Sequence, residues 1–197
     1  MARQIVFLAF LLAAQIAQAG PFVVFPDSKE LHSPDGRFVI RSVEHAASHG
    51  EFSGLFFSLT LEDTVGGTIR GLHNYSGRVA VAWSGSNYII VTEYMGKRSS
   101  RALVFRVDRP LEYIAINKTS LLPHIADELK AHIEGNDHVF VEVSRIENGT
   151  LALRVWGYGT RDPKGFGFGC VYGLDQDRVK CRASDRSDKA VPLTKQP

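Results

Sequence analysis

What this chain has little of constrains it most. Two cysteines in 197 residues are too few for a disulfide scaffold, so the fold must rest on a hydrophobic core. Neither charge is in excess: 23 Lys and Arg face 21 Asp and Glu, for a formal net charge of +2. Nothing in the order of residues resembles the basic stripe of a phosphate-binding surface, and local clusters such as Lys97-Arg98 with Arg101 read as solvated surface, so nucleic acid is not an expected partner. Past the amino terminus no apolar run is long enough to cross a bilayer. The chain has no Gly-x-Ser-x-Gly elbow, no His-Glu-x-x-His, no phosphate-cradling Gly-x-x-x-x-Gly-Lys and no calcium loop. No cofactor is expected, and an enzyme has no motif to support it.

The amino terminus carries an address. Arg3 supplies one positive charge, Ile5 to Ala14 are almost unbroken apolar residues, and Ala17-Gln18-Ala19 has the small-x-small pattern of a cleavage site. Residues 1–19 are therefore expected to be a signal peptide, with the mature chain starting at Gly20 in a secreted or periplasmic setting. A helix apolar on every side would otherwise need burial all round. No cysteine follows the cleavage site to carry a lipid anchor.

In an oxidising compartment Cys170 and Cys181 are expected to pair. The segment between them reads as a hairpin centred on Asp175-Gln176, which sets the two cysteines opposite each other. A two-residue turn would put them at a hydrogen-bonded site, where Cβ atoms diverge, so a longer turn or a bulge is needed. There is no Cys-x-x-Cys pair to suggest redox catalysis.

Short runs of Val, Ile, Phe, Tyr and Thr punctuated by Gly, Pro, Asn and Asp predict strands at 22–25, 38–43, 55–61, 79–83, 88–93, 102–107, 113–116, 139–146, 151–157, 167–174 and 178–182. Asn148-Gly149 between two of them is the residue pair that best fits a type I′ hairpin turn. The expectation is an all-β, mainly antiparallel domain over residues 20–182 with one short helix, followed by a polar, flexible tail at 183–197. The architecture is either a two-sheet sandwich or a partial, propeller-like stack of meanders.

The helix is predicted over Leu121–Glu134, where Leu122, Ile125, Leu129 and Ile133 form an apolar stripe that Gly135 ends; Thr119 or Ser120 would cap it. On such a helix His124, Glu128 and His132 fall at i, i+4 and i+8, a spacing that stacks three metal-ligand types, although a solvated polar face has the same pattern. His45 and His49, with Glu44 and Glu51, form a second, weaker set.

Ser33-Pro34-Asp35-Gly36 carries the favoured residues of a type I turn, and Phe38-Val39-Ile40 follows as a strand. This segment resembles the turn of TolB-like repeats in β-propellers, close relatives of WD repeats. Trp83-Ser84-Gly85-Ser86-Asn87-Tyr88 through Thr92 resembles a degenerate second copy. The resemblance covers two stretches of about ten residues and implies a binding scaffold more than a chemistry.

In Trp156-Gly157-Tyr158-Gly159 and Phe166-Gly167-Phe168-Gly169 aromatics alternate with glycines. Trp156, Tyr158, Phe166 and Phe168 are candidates for a platform that holds a sugar ring, a peptide or a partner protein, although i, i+2 spacing also suits one core-facing strand side. Asn74, Asn117 and Asn148 begin glycosylation acceptor triplets. The expected function is an exported, non-catalytic binding or interaction module whose partner is an envelope or extracellular protein or a glycan. The alternative is a secreted hydrolase, metal-assisted through one of the histidine sets.

Overall fold

The computed structural model describes residues 21–49, 52–147 and 149–182. The predicted signal peptide, the tail 183–197, Glu51 and Asn148 lie outside them. Thirteen strands and two short helices follow in chain order. They are β1 (Val23–Phe25), β2 (Glu30–His32), β3 (Phe38–His49), β4 (Phe52–Asp63), β5 (Thr68–Tyr75), β6 (Val79–Ser84), β7 (Tyr88–Met95), β8 (Ser99–Arg106) and β9 (Arg109–Ile116). Then come α1 (Lys118–Leu121), a 3-10 turn (Leu122–His124), α2 (Asp127–Glu134), β10 (His138–Glu147), β11 (Thr150–Tyr158), β12 (Phe166–Gly173) and β13 (Arg178–Arg182).

The fold is all-β, as expected, and its strands lie in two sheets. One has four strands, β2-β3-β4-β5; the other has nine, in the order β1-β6-β7-β8-β10-β11-β12-β13, with β9 branching from β8. Among the described residues no closed ring of propeller blades forms. Every pairing is antiparallel except β8 with β10. At that joint the buried Ser100 hydroxyl stands in for a backbone rung, donating to the Val141 carbonyl and accepting from its amide, both at 2.9 Å.

Two strands were invisible in the sequence. β2 is three residues of Glu, Leu and His, and β5 is polar with an interior glycine. β5 is a strand because a bulge opposite Leu59 and Thr60 inserts Leu72, which is buried in the core between the sheets.

Alternation along the strands builds two cores. Val79, Val81, Trp83, Ile89, Val91, Leu103 and Phe105 meet Ile40, Leu59, Leu61 and Tyr75 of the small sheet. The other side of the same strands, through Ala82, Ile90, Ala102 and Val104, joins the helical segment and the inward residues of β10–β12 in a second core. There Val139, Val141, Leu151, Leu153, Val155, Phe168 and Tyr172 are buried. Their sequence neighbours therefore point away from this core.

The single predicted helix is broken. Pro123, which has no N–H and disfavours a helical residue before it, sits in the 3-10 turn, and Ile125 and Ala126 are extended at ψ 154° and 151°. The cap is Asn117, whose side chain accepts from the Thr119 and Ser120 amides while Ser120 Oγ accepts from the Asn117 amide. Burial follows the predicted stripe at Ile125, Leu129 and Ile133, but at its start Leu121 takes the core position and Leu122 is only partly buried against it.

Cys170 and Cys181 form the expected disulfide across β12 and β13. They are register partners, and a Cα separation of 4.0 Å matches the closer, non-hydrogen-bonded kind of antiparallel pair. The hairpin loop holds four residues, Leu174 to Asp177, between the partners Gly173 and Arg178, which is the longer turn the pairing required.

Candidate functional site

The four aromatic candidates do not form one platform, because the register of β11 with β12 divides them. Phe166 and Phe168 are register partners of Gly157 and Val155; Phe168 is buried in the core and Phe166 packs against it. Trp156 and Tyr158 lie on the opposite, outward face of β11. Each is backed by its partner on β10: Phe140 stacks on Trp156 at 4.2 Å between centroids, and His138 on Tyr158 at 4.4 Å. Tyr158 is 41% exposed. Arg154, two residues before Trp156, holds its guanidinium carbon 5.9 Å from the indole centroid.

On the far side of Trp156, β12 carries glycines. The partner of Trp156 there is Gly167, and the partner of Arg154 is Gly169. Two glycines of this region have opposite reasons to exist. A Cβ on Gly157 would lie 2.1 Å from the His138 carbonyl oxygen, so the fold itself demands glycine there. A Cβ on Gly169 would meet nothing within 4 Å. An interior strand glycine with extended backbone and open space above it weakens the strand without a packing return, a pattern found where a ligand approaches the backbone closely.

Register also gathers charge that the sequence scatters. Gly169 is the partner of Arg182, Val171 of Lys180, and Gly173 of Arg178. Arg154, Gly169 and Arg182 thus form one row across three strands, and Lys180 and Arg178 continue the cationic edge. All four cations are exposed, and no ion-pair partner for any of them exists among the described residues. Glu142, next to Arg154 on β10, is the acceptor of the Tyr94 hydroxyl at 3.1 Å. Burial, with Glu142 beside it, pushes the Tyr94 phenol up to about 12. Glu147 pairs with Arg145 at 3.2 Å.

A second candidate is a cavity of about 640 Å³ at one end of the two sheets, where the Ser33-Pro34-Asp35-Gly36 turn and the β6–β7 turn meet. Asp35, Arg37 and Phe38 come from one turn and Ser86, Asn87 and Tyr88 from the other; Asp63, Arg70, Arg106, Asp108 and Asp175 also line it. Its carboxylates are all engaged. Asp63 takes Arg37 at 3.0 Å and the Val65 and Gly66 amides, and these bonds, the guanidinium first, hold its carboxyl down at about 2. Asp108 pairs with Arg106 at 2.9 Å. Asp175 accepts from Tyr88 at 2.8 Å; burial and then that carboxylate push the phenol up. Asp35 accepts from the Ser33 hydroxyl at 2.6 Å, which holds it below the usual carboxylate range. Ser33 in turn accepts from the Phe38 amide, so this lattice closes the turn.

The His124, Glu128 and His132 set is not assembled. The break at Ile125–Ala126 takes His124 off the face of α2, where Glu128 is solvent-exposed. His132 is committed elsewhere: its Nδ1 is 2.8 Å from Asp162, and its ring stacks on Phe166 at 5.4 Å. His45 is exposed, and the His49 side chain is outside the description. Among the described residues no three His, Cys, Asp or Glu side chains converge on a metal-sized site.

Sequence reasoning missed one buried polar cluster. Glu93 of β7 receives Arg101 at 2.7 Å and lies 3.2 Å from His73 of β5, linking the two sheets. Burial pushes the Glu93 carboxyl up, and His73 with Arg101 more than reverse it, so the net shift is downward.

The chain was compared with protein-family models, curated proteins and solved structures, and none of the three gives a match. No helix among the described residues is long and apolar enough to cross a membrane.

Proposed function

We propose that this protein is an exported, non-catalytic binding module that holds a glycan on the outward face of β10–β13. One observation carries the reading: Trp156 and Tyr158 stand in a cross-strand aromatic ladder, backed on the β10 side and bordered on the β12 side by a glycine-floored strip. A preformed ring wall beside a flat floor suits the apolar face of a sugar, and the neighbouring side chains can hydrogen-bond its hydroxyls. A protein partner is less well served. The only large apolar side chains strongly exposed on these strands are Tyr158 and Val171, which is little for the core of a protein interface.

The two tryptophans make the test simple, because Trp83 is 2% exposed inside the inter-sheet core and Trp156 is at the proposed site. Titration of the purified protein with soluble glycans should change tryptophan emission, and Trp156→Phe should abolish the change while leaving the fold intact. A panel that leaves the emission unaltered, or a Trp156→Phe variant with undiminished affinity by calorimetry, would overturn the reading.

A further inference from the structure

We infer that the glycan is an acidic one, whose carboxylate groups are taken between Arg154 and Arg182; this rests on the glycan-platform reading above. The two arginines sit in one row on either side of Gly169. With strands about 4.8 Å apart, their Cα atoms are roughly 9.6 Å from each other. Gly169 puts no side chain between them, so the row is a notch with backbone as its floor and an arginine on each side, the Arg154 guanidinium leaning toward Trp156. Guanidinium forks match a carboxylate in shape and charge. Trp156 is one pleat along, about 6.7 Å from the row, and Lys180 and Arg178 extend the positive edge in the other direction at the same spacing. A sugar ring against Trp156 and its carboxylate in the notch satisfy both features together.

The charge pattern selects the ligand class. A chain with a formal net charge of only +2 places on one sheet face four cations that have no ion-pair partner among the described residues, while its other arginines are largely paired, as Arg37, Arg41, Arg101 and Arg106 are. Unpaired like charges on one surface repel, and a polyanion removes that repulsion. A phosphate polymer would also be attracted. The disulfide favours the glycan: it ties β12 to β13, the strand that carries three of the cations, and disulfides persist in oxidising compartments outside the cytosol.

The test is affinity electrophoresis of the oxidised, full chain through gels containing polygalacturonate, alginate, a neutral dextran or single-stranded DNA. The acidic glycans should retard it most, and Arg154→Ala and Arg182→Ala should each weaken retardation about tenfold, the equivalent of one charge-assisted hydrogen bond. Their melting temperatures should match the parent's. Equal retardation by dextran would overturn the acidic assignment and leave the glycan platform standing. Retardation by DNA as strong as by the acidic glycans would overturn the assignment to a glycan. No retardation by any polymer would overturn both readings.

Discussion

The end cavity and the outward face of β11–β13 are both rich in charge, yet the cavity engages nearly all of its charged groups within the protein, Arg70 apart, and the face does not. Around the cavity every carboxylate has a partner within the protein: Asp63 with Arg37, Asp108 with Arg106, Asp175 with Tyr88, Asp35 with Ser33. On the face, Arg154, Arg178, Lys180 and Arg182 have no ion-pair partner among the described residues. Satisfied groups hold turns in place and have little left to offer a ligand; unsatisfied ones do the reverse. The size of a cavity is therefore a poorer guide here than the state of its polar groups. Gly157 and Gly169 repeat the contrast in the backbone, the first required by the fold and the second by nothing within it.

The largest effect is expected at the glycine the fold needs. Gly157→Ala drives a methyl into the His138 carbonyl oxygen and should lower stability by about 3 kcal/mol, read as a fall in the urea midpoint. A loss under about 1 kcal/mol would mean that β10 and β11 can part locally, and the structural half of the contrast would fail.

The next effect belongs to the buried charges between the sheets. Glu93→Gln should cost about 2 kcal/mol at neutral pH, because it leaves Arg101 and His73 without their carboxylate. The pH dependence follows from the sign of the shift. The Glu93 carboxyl is lower in the folded chain than its ordinary value of 4.5. Its stabilisation is therefore complete above that value and lost as the pH falls through the lower folded one. Denaturation midpoints of the parent and Glu93→Gln should converge as acid is added and stay apart at neutral pH. A constant gap would show that the charge is not what the cluster uses.

Much of the fold was legible because alternation and turn residues act locally. Phe38-Val39-Ile40, the runs that became β6 to β8, and the hairpin holding the cysteines all announce themselves within short stretches of sequence. The helix break is readable in hindsight from Pro123. β5 was hidden because its place depends on a bulge against β4 and on His73 meeting Glu93, contacts that no local pattern encodes. The site was half visible. Alternating aromatics and glycines drew attention to the segment of the proposed site, but which of them face outward depends on the register of β11 with β12, and that sends Phe166 and Phe168 inward. The positive row was not visible at all: Arg154 and Arg182 are 28 positions apart in the sequence and become neighbours of one glycine only through two successive strand pairings. An expectation of no basic stripe was true of the sequence order and not of the sheet.

The central claim is that Gly169 is kept bare for a ligand. The most direct measurement is the melting temperature of Gly169→Val beside its affinity for the acidic glycan. A β-branched residue suits an extended strand with free space above it and should stabilise by up to about 1 kcal/mol, while its side chain fills the notch between Arg154 and Arg182. The account predicts a melting temperature equal to or above the parent's together with at least a roughly tenfold loss of affinity. Undiminished binding by a well-folded Gly169→Val protein would contradict it.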